Sequence, residues 1–183
     1  MKDGFLKAAA AAPKIRVADP AWNALEICKA LDSCYAQRAK LIVLPELCLT
    51  GYTCQDLFLQ ERLLEESLEG LQTVLEHTKG HDALTFVGLP FEKDGKLYNV
   101  AAALNHGKIL GLTTKTFLPN YGEFYEKRNF TAAPEGVDRI SLLGEDVPFG
   151  TNLIFRALNM PEFSVAAEIC EDLWVTLPPS VLH

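Results

Sequence analysis

Leu41-Ile42-Val43-Leu44-Pro45-Glu46-Leu47 is the stretch that decides the fold. Four consecutive apolar residues form the pattern of a fully buried strand. The run stops at a proline and presents a carboxylate. Upstream, Asp19-Pro20 is a helix start, an Asp cap followed by Pro at the first helical position. Leu25, Cys28, Leu31 and Tyr35 then recur at helical spacing, which predicts an amphipathic helix over 20–39. Phe5 to Ala12 reads as a first strand. Downstream, Leu64, Leu68, Leu71 and Leu75 mark a helix of about residues 56–79 that ends at Gly80. That leucine stripe is too short for a coiled coil and reads as core packing. Leu84 to Leu89 is a third strand.

Beyond this point the period changes. Lys93-Asp94-Gly95-Lys96 is a hairpin turn, because Asp-Gly tolerates the positive φ values such turns require. Leu97 to Leu104 and Ile109 to Thr114 read as strands joined by Asn105-His106-Gly107. Residues 115–138 form a long irregular loop, a length that in a compact domain points to function. Arg139 to Leu143, Asn152 to Ala157 and Phe163 to Glu168 are further strands. Strands alternating with helices, then strands in hairpins, give an α/β chain with a mixed sheet covered by helices.

Composition narrows the function. A chain of 183 residues that is 49% hydrophobic can bury one good core, so a single domain is expected. The net charge of −7 and the scattered basic residues disfavour nucleic acid and anionic membrane as partners. Lys127-Arg128 is the only adjacent basic pair. No apolar run approaches the ~20 residues of a transmembrane helix. At the N-terminus Asp3 interrupts the charged start and Ala8 to Ala12 is too short for a secretion signal. Five cysteines without such a signal point to a reduced, cytoplasmic setting rather than a disulfide framework. The four histidines are dispersed and no Cys-x-x-Cys pair occurs, so no metal site is expected.

Three apolar segments each end in a residue with useful chemistry. The first presents Glu46. The second, Leu112-Thr113-Thr114-Lys115, presents a lysine, followed by a loop rich in aromatics and carboxylates. The third, Val165-Ala166-Ala167-Glu168-Ile169-Cys170, delivers a thiol to a turn, where a substrate can reach the sulfur.

These blocks resemble the nitrilase superfamily, whose members attack carbon–nitrogen bonds with a Glu-Lys-Cys triad. More closely, they resemble the glutamine-hydrolysing N-terminal domains of glutamine-dependent NAD synthetases. The likeness is carried by Pro45-Glu46-Leu47-Cys48-Leu49-Thr50-Gly51-Tyr52-Thr53-Cys54 with Asp56-Leu57-Phe58, and by Lys115 to Glu126. Val147-Pro148-Phe149-Gly150 and Glu168-Ile169-Cys170-Glu171-Asp172-Leu173-Trp174 extend it over nearly all of the chain. The resemblance implies a nitrilase-like four-layer αββα sandwich, with residues 1–183 as a carbon-nitrogen hydrolase (glutamine amidotransferase) domain. Complete modules of the family continue well past the nucleophile, whereas this chain stops thirteen residues after it. The sandwich is therefore expected to be incomplete at the C-terminus. No Ser-Gly-Gly phosphate loop of a synthetase half occurs. No cofactor is expected in this segment, and ATP and Mg belong with the missing synthetase domain.

The resemblance also assigns roles. Cys170 attacks the side-chain amide of glutamine, Glu46 is the general base, and Lys115 faces the developing oxyanion. Glu123 is the best match for an accessory carboxylate in the loop, with Glu126 as its rival. Tyr52, Tyr121 and Phe124 wall the pocket, and of Glu168 and Glu171, which flank Cys170, Glu171 is favoured over Glu168 to contact the substrate's amino group. Cys48 and Cys54 are structural. The implied partners are glutamine, the parent's synthetase domain and further copies in a homo-oligomer. An aliphatic amidase, an N-carbamoyl amidohydrolase and a catalytically silent module remain alternatives, decided by the pocket.

Overall fold

The computed structural model describes residues 5–183; the charged start at Lys2 and Asp3 lies outside them. Strand β1 (Ala8–Ala10) leads into helix α1 (Pro20–Ala36), and β2 (Leu41–Val43) leads through a short 3-10 helix, Gln55–Leu59, into helix α2 (Glu61–His77). Strands β3 (Leu84–Lys93), β4 (Lys96–Asn105) and β5 (Lys108–Thr114) form a meander. A short helix α3 (Glu126–Asn129) precedes β6 (Val137–Leu142), β7 (Glu145–Gly150), β8 (Phe155–Ala157) and β9 (Met160–Val165). Among the described residues no helix is long and apolar enough to cross a membrane.

Seven strands make one mixed sheet in the order β1-β2-β3-β4-β5-β7-β6. Strands β1, β2 and β3 run parallel, as do β5 and β7; the remaining neighbours are antiparallel. Helices α1 and α2 cover one face. Ile27 and Leu31 of α1 and Leu71 and Val74 of α2 join Ile42, Val87, Leu89 and Leu112 in one buried core. Strands β8 and β9 form a separate hairpin over the other face, where Phe155 meets Phe86 edge-on at 5.6 Å. The described residues thus supply a helical layer, the large sheet and a two-stranded second sheet, in keeping with an α/β sandwich.

The predicted turns and helix start are where the residues put them. Asp94 and Gly95 take φ of 52° and 71°, and His106 and Gly107 take 49° and 72°, the conformation of tight two-residue hairpins. Asp19 caps α1 through the Trp22 N–H. Four expectations need correction. The first strand is shorter than Phe5 to Ala12. The helix expected over 56–79 is divided, because Gln60 is extended (φ −89°, ψ 119°) between the 3-10 turn and α2. Glu145–Gly150 is a strand, which Pro148 hides in the sequence; it sits between β5 and β6. Finally, β9 ends at Val165, so residues 166–169 approach Cys170 as extended chain outside any ladder.

Candidate active site

The turn that carries Glu46 lies flat on β3. Leu44 N–H donates to the Phe86 carbonyl at 3.1 Å and Leu49 N–H to that of Gly88 at 3.2 Å. Gly88 makes this approach possible. A Cβ there would sit 2.4 Å from Leu47 N and 2.7 Å from the Pro45 carbonyl oxygen. Lys115 follows β5 directly, and its N–H donates to the Asn99 carbonyl on β4 at 2.9 Å.

These backbone positions bring the side chains together. Lys115 is fully buried, and its Nζ donates to Glu46 Oε1 at 2.6 Å and to Glu126 Oε1 at 2.7 Å. Asn99 Nδ2 also donates to Glu46 Oε1, at 2.6 Å, and Tyr52 OH donates to Glu126 Oε1 at 2.7 Å. A lysine ammonium has three donors. Among the described residues two of them are used. Burial pulls the Lys115 pKa down, but Glu46 and Glu126 outweigh it and hold the ammonium above its ordinary value. Burial pushes the Glu126 carboxyl upward, against the hydrogen bonds from Lys115 and Tyr52.

The carboxylate that reaches Lys115 is therefore Glu126, not Glu123. The single turn of α3 turns Glu126 inward, where it is 4% exposed, whereas Glu123 lies on the solvent side of the loop. Nothing in the loop sequence separates the two, since the deciding helical turn is only four residues long.

Cys170 opens a 3-10 turn, Cys170–Leu173, with φ of 48°. A left-handed non-glycine residue is strained, and such strain concentrates where a side chain must be aimed. Its thiol is exposed, whereas Cys28, Cys34, Cys48 and Cys54 are buried. Cys170 shares a cleft of about 320 Å³ with Glu46 and Asn99. Its pKa is raised above the ordinary thiol value, first by desolvation and then by the Glu46 charge, with Lys115 pulling the other way. The resting group is thus a thiol with a carboxylate and an ammonium in electrostatic reach.

Asp172 fastens this turn to the sheet. Its Oδ1 accepts from Thr116 N–H at 3.0 Å and Phe117 N–H at 2.7 Å, and its Oδ2 from Ile169 N–H at 3.2 Å. One buried carboxylate so joins the Cys170 turn to the residues directly after Lys115. Asp172 and Asn99 escape the sequence reading. Asn99 has a signal there, as the lone amide inside the apolar run Leu97 to Leu104.

Tyr52, Phe124 and Tyr121 form an edge-to-face series, with ring centroids 6.4 Å and 5.8 Å apart. Tyr121 OH donates to Glu171 Oε2 at 2.9 Å at the exposed end of the series. Tyr52, Phe124, Tyr121 and Glu171 are therefore contiguous, but none of them lines the cleft shared by Glu46, Asn99 and Cys170; Tyr121 and Glu171 line a second hollow with Thr116 to Asn120.

A thiol above a buried carboxylate–ammonium pair, on a mixed α/β sheet, defines the class. The chain belongs to the carbon-nitrogen hydrolase family, whose model matches residues 7–180. It is 36% identical over 177 residues to a glutamine-dependent NAD(+) synthetase of Mycobacterium tuberculosis, covering 97% of this chain and 26% of that protein. The corresponding Aquifex aeolicus protein is 34% identical over 158 residues, covering 86% of this chain and 24% of its own length. The chain thus spans about a quarter of the length of these curated relatives. The crystal structure of a glutamine-dependent NAD(+) synthetase from Cytophaga hutchinsonii superposes with a TM-score of 0.83 at 29% identity, over 91% of this chain and 28% of that one. An amidase from Nesterenkonia sp. shares the fold, with a TM-score of 0.59 at 21% identity over 81% of this chain and 56% of the amidase.

Proposed function

We propose that this chain is the glutamine-hydrolysing part of a glutamine-dependent NAD synthetase. It releases ammonia from the side-chain amide of glutamine for ATP-dependent amidation elsewhere in the parent enzyme. The observation that carries this reading is the fully buried Lys115 held between Glu46 and Glu126, beside the exposed Cys170 thiol. The names of the relatives supply the substrate.

In this reading Glu46 takes the thiol proton as Cys170 Sγ bonds to the amide carbon. The carbonyl oxygen becomes an oxyanion facing the free N–H of Lys115. Collapse breaks the C–N bond, Glu46 returns the proton to the departing amine, and ammonia leaves a thioester. Water, activated by Glu46, then adds to the thioester; the C–S bond breaks and glutamate leaves. A positioned acid–base shuttle contributes about 10²–10⁴-fold. Removing a charge-stabilising donor at the oxyanion costs about 10²–10³-fold. Glu126 holds Lys115 in place from the opposite side. Glu171, held by the Tyr121 hydroxyl at 2.9 Å, offers a carboxylate to the substrate's α-ammonium, a group that simple aliphatic amides lack.

The test is ammonia release by the intact protein from glutamine and from simple aliphatic amides. Preference for glutamine is expected. Cys170→Ala should drop this release to the uncatalysed background while leaving synthesis from free ammonia intact. Retained turnover of glutamine in that variant would sink the assignment.

A further inference from the structure

We infer that Asn99 is a positioning residue that fixes which oxygen of Glu46 exchanges protons with the nucleophile. The inference rests on the reading of Glu46 as the base for Cys170. Asn99 lies within β4, opposite Pro90 of β3, and is 1% exposed. From one position it holds the backbone of Lys115 and the carboxylate of Glu46. Its backbone carbonyl accepts the Lys115 N–H at 2.9 Å, and its Nδ2 donates to Glu46 Oε1 at 2.6 Å.

Glu46 Oε1 therefore carries two donors, since the Lys115 ammonium also reaches it at 2.6 Å. Oε2 takes no hydrogen bond among the described residues. An oxygen that already accepts two strong hydrogen bonds is the poorer proton acceptor, so the proton goes to Oε2. Lysine alone does not enforce this choice. The terminal torsion of a glutamate is broad and two-fold, so a carboxylate held by a single flexible ammonium can exchange its oxygens. A second donor, rooted in a sheet strand, stops the rotation.

The amide's other end supports the same role. Asn99 Oδ1 is buried and has no hydrogen-bond partner among the described residues. Buried polar atoms are paired in the great majority of cases, and an amide kept only for packing would satisfy its oxygen. Turning the amide over would set Oδ1 against the Glu46 carboxylate. The orientation is thus dictated by Glu46, with an unpaired acceptor left behind. The other titratable groups acting on this site are Lys115, Glu126, Tyr52 and Cys170.

The experiment uses Asn99→Leu and Asn99→Asp in the intact protein. Folding of each variant is checked by circular dichroism, and kcat and KM are measured against pH for ammonia release from glutamine. Misplacement of a reacting group by about 1 Å costs on the order of 10²-fold, so kcat should fall by about that factor with KM little changed. Asn99→Asp regains a donor only when its carboxyl is protonated. Its kcat relative to wild type should therefore rise as pH falls. An unchanged kcat in folded Asn99→Leu, or a pH-independent ratio for Asn99→Asp, overturns the inference. Absence of ammonia release by the wild type would instead overturn the glutaminase reading, and the rate of Cys170 alkylation by iodoacetamide would then decide the role of Asn99, an equal rate in Asn99→Leu and wild type counting against it.

Discussion

Glu46 and Lys115 rest on the sheet, whereas Cys170 hangs from a turn that one carboxylate ties to it. The first pair is fixed by ladder-type backbone bonds to β3 and β4 and by mutual burial. The second region has left its strand at Val165, sits in strained backbone, and meets the sheet through Asp172. The charged pair is therefore stabilised together with the core, while Cys170 is placed by a local device. Changes in the two regions should separate stability from activity.

The largest effect is expected at the sheet-borne pair. Lys115→Met leaves Glu46 and Glu126 facing each other without the ammonium between them. Breaking a buried ion pair costs about 3–5 kcal/mol, and ammonia release should fall by at least about 10²-fold. Urea denaturation and steady-state kinetics measure the two; a loss of activity with stability unchanged would break the contrast. Asp172→Ala should show the opposite balance. It strands one buried backbone N–H, that of Ile169, at a cost of about 1–3 kcal/mol and leaves the part-buried Thr116 and Phe117 N–H groups to water, yet kcat should fall by about 10²-fold because the thiol is no longer aimed. A kcat within threefold of wild type would show that the strained turn holds itself.

Gly88→Ala sharpens the comparison from the other side. The added methyl meets backbone that cannot yield, so thermal unfolding should report about 1–3 kcal/mol of lost stability. Activity should follow stability here, because the Glu46 turn moves with the sheet. The smallest effect concerns pH. Alkylation of Cys170 by iodoacetamide should have its midpoint above the ordinary thiol value of 9.0, since desolvation and Glu46 both disfavour the thiolate. Glu46→Gln removes one of these two causes and should lower the midpoint, while desolvation remains. A midpoint that rises in Glu46→Gln would contradict the proximity of the two groups.

What the residues reveal in advance follows the same division. Asp19-Pro20, Asp94-Gly95 and His106-Gly107 announce α1 and the β3–β4–β5 meander because each has a local steric reason. Glu46, Lys115 and Cys170 are legible for a similar reason, each standing where an apolar run stops. The rest depends on distant partners. Pro148 disguises β7, whose place between β5 and β6 is set by the sheet. Glu126 prevails over Glu123 only through a one-turn helix, and Asp172 matters only because Thr116 and Phe117 lie beneath it. Asn99 could be suspected as a polar residue in a buried strand, but the group it holds lies on another strand's turn.

The burial of four cysteines around a fifth that faces solvent has a practical consequence. Desolvation holds the thiols of Cys28 and Cys48 at about 11 and about 12, so at neutral pH they are both inaccessible and protonated. A thiol-reactive probe should therefore add one label per native molecule and five per unfolded one. Mass spectrometry of the labelled chain then counts folded molecules by integer mass steps, with Cys170 itself as the tally mark of the native state.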